Sequence, residues 1–156
     1  IQTTRDIAHQ IVRHRSFSFQ EFSQRYADPK EQGDIFEYAE CRLQDTKNRQ
    51  NSIETDNVEL HHGWIEQQDL VMEAANRAYT WAIEHGIAKE QARKVLPEGL
   101  TKTTLYMNGT IRSWIHYIEL RGANGTQKEH MQIAHACAEA IAKIFPNIEK
   151  YSNGKV

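Results

Sequence analysis

Apolar and polar positions change period several times along the chain, and each change marks an element. Ile7, Ala8 and Ile11 share one face of a helix predicted over Arg5 to Val12, with Thr4 at its N-cap. Directly afterwards the period drops to two: Phe17 and Phe19 alternate with Ser16, Ser18 and Gln20, as on a half-buried strand. Asp28-Pro29 and Gly33-Asp34 are turn signals, and Phe36 to Leu43 is expected as a second strand. Residues 44–59 are almost wholly polar and read as a long loop.

From Leu60 to His85 the spacing becomes helical. Trp64, Gln68, Val71, Ala75, Ala78 and Ala82 form a stripe, Ala74 and Trp81 flank it, and Gly86 closes the helix. A short helix through EQARKVL stops at Pro97, and a strand from Leu100 to Met107 ends at Asn108-Gly109. Thr110 caps a helix whose buried side is Ile111, Trp114, Ile115 and Ile118. The last helix opens on Thr126 with Glu129 three residues on, a capping box, and Pro146 ends it. Its stripe is Ile133, Ala134, Cys137, Ala138, Ile141 and Phe145. The expected fold is α/β (α+β): a small, mostly antiparallel sheet packed with long helices, one domain over residues 1–156.

Composition narrows the classes. At 39% hydrophobic and 26% charged residues the chain is ordinary for a globular protein. No apolar run approaches the roughly 20 residues that span a bilayer, so a cytoplasmic, non-membrane protein is expected. Ile1 stands where a start would have Met, and an incomplete N-terminal part is expected. Cys41 and Cys137 lie far apart with no CxxC pair, which fits a reducing compartment. Asp plus Glu outnumber Lys plus Arg by 21 to 19, so no broad field attracts nucleic acid. That weighs against a single-strand-binding module stacking bases on Phe17 and Phe19. Any anion site must be a local concentration of arginines.

Such a concentration exists in RHRSFSFQEFSQRY, Arg13 to Tyr26. Arg13, His14 and Arg15 repel one another unless water or an anion neutralises them, and a solvated patch is the plain reading of RHR alone. On an extended strand Glu21, Ser23 and Arg25 would point to one side, where the guanidinium could grip phosphate oxygens bidentately.

The complete pattern is more specific. RHR, seven residues and then Ser, followed by SxRY, resembles the signature of the flavin-dependent thymidylate synthases. EQARKVLP at 90–97, NGTIRSWIHYIELR at 108–121 and the following TQKE are similar to further blocks of that family, in order. The resemblance implies that Arg13, His14, Arg15, Gln20, Arg112 and His116 contact FAD. It implies dUMP contacts from Gln10, Glu21, Ser23, Gln24, Arg25, Arg93 and Arg121, with Arg93 on the phosphate. Arg121 and Ser23 would be the catalytic positions, Arg121 stabilising charge that develops on the uracil ring. Ser23 shows no base partner, and an unactivated hydroxyl is a poor nucleophile. Gln20, Gln24, His116 and Gly125 depart from residues common in that family. NADPH and 5,10-methylenetetrahydrofolate are the implied co-substrates, and a homotetramer with shared active sites the implied assembly. UMP in place of dUMP is the nearest alternative substrate.

Two negatives complete the picture. Cys137 falls on an apolar stripe and Cys41 has no motif, so neither is expected as a nucleophile. His61-His62 diverge by about 100° on a helix, and His9, His85, His130 and His135 show no HExxH spacing, so no metal is expected.

Overall fold

The computed structural model describes residues 1–28 and 33–151, so Pro29 of the first turn signal lies outside the described residues. In chain order the elements are β1 (Gln2–Thr4), α1 (Arg5–Ile11), β2 (Ser18–Glu21), β3 (Arg42–Gln44), β4 (Ser52–Glu54), α2 (Val58–Glu84), α3 (Lys89–Ala92), β5 (Lys102–Asn108), α4 (Ile111–Arg121) and α5 (Lys128–Ala142). Short 3₁₀ turns follow α3 at Arg93–Val95 and α5 at Pro146–Tyr151. The architecture is α/β, with antiparallel sheets.

β5 is the centre of a three-stranded sheet, β1-β5-β2. β1 pairs it at Thr3↔Thr103 and β2 at Phe19↔Met107, both antiparallel. Its inward side chains, Thr103 and Leu105, are buried, and Ile7, Ile11 and Leu105 make one core cluster with Phe19 and Met107 against it. A second cluster joins α4, α5 and the last turn through Tyr117, Ile118, Ala134, Ala138 and Ile148. A third, of Tyr79, Ala82 and Ala92, fastens α3 to the C-terminal half of α2. Gly109 lets β5 turn into α4: a Cβ there would sit 2.5 Å from the Phe17 ring.

Several expectations need correction. Phe36 to Leu43 is not a strand: Phe36 makes one bridge to Thr101, and β3 begins only at Arg42. The reason is local. The Gln68 carboxamide accepts from Ala39 N at 2.7 Å and donates to Ala39 O at 3.2 Å, taking the groups a neighbouring strand would use. Trp64 Nε1 donates to the same carbonyl at 3.1 Å, so Gln68 is buried and Trp64 is not. Residues 44–59 are not a bare loop but contain the turn and second strand of the β3–β4 hairpin and the start of α2, where Asn57 Oδ1 accepts from Leu60 N. The buried stripe of α2 is Gln68, Met72, Ala75, Tyr79 and Ala82, so Val71, Ala78 and Trp81 face outward.

On α4, Tyr117 and Ile118 are the buried pair and Ile111 is exposed; Thr110 caps it by accepting from Ser113 N at 3.3 Å. The Thr126/Glu129 capping box does not form, because α5 starts at Lys128 and Glu129 turns to Arg42. Phe145 lies beyond the end of α5 at Ala142 and is exposed. Thr4 stands at the N-cap of α1, but its hydroxyl donates to Asp6 Oδ1 instead of capping.

Candidate functional site

The RHR run follows α1 as its C-terminal turn: His14 N donates to Ile11 O at 3.1 Å. Cations gathered there lie at the negative dipole end of a helix, which offsets their repulsion. Arg13 and Arg15 are exposed and join no ion pair among the described residues. Arg15 borders a shallow cleft of about 490 Å³ with Phe17, Ser18, Asn108 and Thr110.

His14 points the other way, into the protein. Its Nε2 accepts from Arg121 Nε at 2.9 Å, and its ring meets Tyr117 edge-on at 4.9 Å between centroids. Tyr117 and Arg121 are four residues apart on α4 and so share the face that looks at α1 and α5. Burial lowers the His14 pKa, and the nearby Arg121 and His116 lower it further. A neutral ring is what an acceptor for a guanidinium requires. Gln10, on the last turn of α1, donates from Nε2 to Gln127 Oε1 at 2.7 Å, and its Oε1 lies 3.4 Å from His130 Nδ1. Arg112 and His116 occupy the exposed face of α4, and Gln20 is exposed on β2.

A second group forms around the turn after β2. The strand ends at Glu21, so Glu21, Ser23 and Arg25 do not form one extended row, which corrects the sequence reading. Glu21 Oε1 accepts from Arg5 Nη1 at 3.2 Å and from Thr103 Oγ1 at 2.9 Å, tying that carboxylate to the sheet. Ser23 is exposed, with its carbonyl closing the turn to Tyr26 and Ala27. Gln24 is buried at 2% exposure with Nε2 unbonded among the described residues. Arg25 Nε lies 3.8 Å from Glu90 Oε2, and Lys89 Nζ donates to Tyr26 O at 3.1 Å. The turn is thereby held to α3, one turn of chain before Arg93, which is half-buried. Thus Arg25 meets Glu90 on α3, the helix that leads into Arg93, while His14, Gln10 and Arg121 form a separate cluster. Among the described residues no hydrogen bond or ion pair joins the two groups.

Sequence reasoning missed His130, Tyr117 and Gln127. His130 is fully buried, Nε2 unbonded among the described residues, and its pKa is lowered to about 4 by burial, then by Arg121 and His14. A signal was present: His130, Ala134 and Ala138 are spaced by four, so His130 extends the buried stripe of α5 by one turn. Cys137 is the reverse case, a thiol pushed up to about 11 by burial.

A family model described as thymidylate synthase complementing protein matches residues 1–147. A relative from Paramecium bursaria Chlorella virus 1, described as a probable flavin-dependent thymidylate synthase, is 51% identical over 150 residues, covering 96% of this chain and 68% of the relative. The chain belongs to the flavin-dependent thymidylate synthase family. Another member, from Synechocystis sp., is 50% identical over 149 residues, 95% of this chain and 66% of its own. A third, from Thermus thermophilus, is 34% identical over 140 residues, 90% of this chain. The chain spans about two-thirds of the first two relatives and 50% of the Thermus protein. The crystal structure of a UMP/dUMP methylase from Streptomyces cacaoi bound with 5-Br UMP has a TM-score of 0.83 at 24% identity, covering 97% of this chain and 71% of that one. That likeness is one of fold. Members of the flavin-dependent thymidylate synthase family are methyltransferases that work with FAD, with NADPH and methylenetetrahydrofolate as co-substrates. No helix among the described residues is long and apolar enough to cross a membrane.

Proposed function

We propose that this chain reductively methylates dUMP at C5 to give dTMP. The observation that carries the reading is the Arg121–His14 contact at 2.9 Å, a guanidinium held by a neutral imidazole. Donating Nε to His14 leaves the terminal amino groups of Arg121 for another acceptor. An arginine stays protonated under burial, so it can stabilise negative charge on a pyrimidine as C5 becomes nucleophilic.

The residues suit the flavin the family uses. Arg13 and Arg15 are exposed, and Arg15 borders a cleft, a donor set matched to a pyrophosphate. Arg112, His116 and Gln20 are exposed and available to the rest of the dinucleotide. When bound, the flavin supplies the hydride, with methylenetetrahydrofolate as carbon donor and NADPH as reductant. Arg25 and Arg93 would hold the nucleotide phosphate, with Ser23 on the same turn and Gln10 at the ring. Glu21 would act by keeping the turn on the sheet through Arg5 and Thr103, and Gln24 from beneath it. Burial holds Cys137 as a thiol at neutral pH, which disfavours it as a nucleophile on the pyrimidine.

The test is an absorbance spectrum of the purified protein followed by isotope-transfer assays with dUMP and UMP in parallel. A yellow protein that forms labelled dTMP supports the reading. Transfer to UMP alone moves it to the ribonucleotide, and a colourless protein that transfers to neither refutes it.

A further inference from the structure

We propose that His130 is a positioning residue for this site, holding the Gln10 carboxamide and bracing His14, which aims Arg121. The inference rests on the function proposed above and assigns a role to a residue that function did not use.

Packing alone does not call for a histidine at this position. His130 is fully buried on a stripe otherwise made of Ala134 and Ala138. An apolar side chain would fill that space without desolvating two ring nitrogens. The ring instead meets two groups of the candidate site. Gln10 Nε2 donates to Gln127 Oε1 at 2.7 Å, so its Oε1 faces His130 Nδ1 at 3.4 Å. The carboxamide is therefore gripped at both ends, and the Nδ1–H tautomer of His130 is the one that satisfies the set. The bond is long and part-buried.

The second contact is with His14. The His130 ring stands edge-on to it, with centroids 6.2 Å apart and planes at 87°, while Tyr117 lies 5.7 Å from His130 and 4.9 Å from His14. His130 and Tyr117 thus form the floor under His14, whose Nε2 accepts the hydrogen bond from Arg121 Nε. Both Gln10 and Arg121, expected at the nucleotide, sit within one or two contacts of a single buried imidazole.

The experiment uses the flavin-loaded protein with His130→Ile, which fills the space without a donor, and His130→Gln, which restores one. Thermal midpoint, kcat and KM for dUMP are measured, with Gln10→Leu alone and in each background. His130→Ile is expected to fold, stay yellow and raise KM for dUMP about tenfold, the size of one lost hydrogen bond. His130→Gln should recover part of that rise, and Gln10→Leu should add little on top of His130→Ile. A folded His130→Ile with kcat and KM within about twofold of wild type, or effects that simply add, would overturn the proposal. If His130→Ile does not fold, the Gln10→Leu and His130→Gln cycle decides by the same non-additivity. A wild-type protein without dUMP-dependent flavin oxidation would fail before any variant is made, and would take the functional reading down with this one.

Discussion

Arg121, His14 and His130 make up a chain of cationic and neutral groups in which only the arginine is charged at neutral pH. Burial and the guanidinium beside them hold both imidazoles below the ordinary histidine value. Above pH 6.5 His130 is neutral in the folded and the unfolded chain alike. Below 6.5 the unfolded chain takes a proton that the buried ring refuses until about pH 4, so stability falls as pH drops through that window. His14, lowered in the same direction, adds to the loss; Arg121 faces both rings as a positive neighbour, and His116 faces His14. Urea denaturation at pH 7 and pH 5 should show a lower midpoint at pH 5, and His130→Gln should flatten the difference. An equal pH slope in the variant would mean that other groups titrate. At this scale Arg13, Arg15, Arg25, Arg93 and Arg121 were legible because motif order named them. The partners of Glu21, Arg5 and Thr103, were not legible, because sequence shows side-chain type and not which side chain already has a partner.

The β3–β4 hairpin shows how an element can depend on contacts that no periodicity carries. Its strands are three residues each with a single apolar residue at the centre, Leu43 and Ile53, too short for alternation to register. Ion pairs clip it to the start of α5: Arg42 to Glu129, and Lys128 Nζ to Glu54 Oε1 at 2.6 Å and Glu40 Oε2 at 2.9 Å. Arg42 is 13% exposed in its side chain and Glu129 33%, so the first pair is partly desolvated, whereas the Lys128 pairs face water. Arg42→Ala would leave Glu129 partly buried without its cation and is expected to cost on the order of 1–3 kcal/mol. Equilibrium urea unfolding checks it, with Lys128→Ala expected to shift the midpoint less. Equal losses from the two variants would remove the ranking. The long helix α2 was legible through its length, but its rotation was not. Gln68, polar by type, turns inward because Ala39 supplies both of its hydrogen bonds.

On the scale of the whole molecule the two arginine groups are the main consequence of the fold. Arg25 and Arg93 gather at α3, and Arg121 with His14 gathers where α1, α4 and α5 meet. A nucleotide held by both sets is accommodated if they come from different subunits. The outer surface of α2 supports association, since Leu60, Ile65, Leu70, Val71 and Trp81 are all exposed there. Light scattering of the purified protein is expected to report four chains, and Trp81→Glu should dissociate them and depress turnover together. A monomer with full activity would break the shared-site account. The sequence alone determined the family, the order of the long helices and the turn of cations after α1, since these depend on residue type, spacing and local period. Only the tertiary structure decided that His130 lies under His14, that Gln68 replaces a strand neighbour and that Glu21 is held by Arg5. Those are pairings between residues from 16 to 116 positions apart, and which donor meets which acceptor across such separations is set by packing.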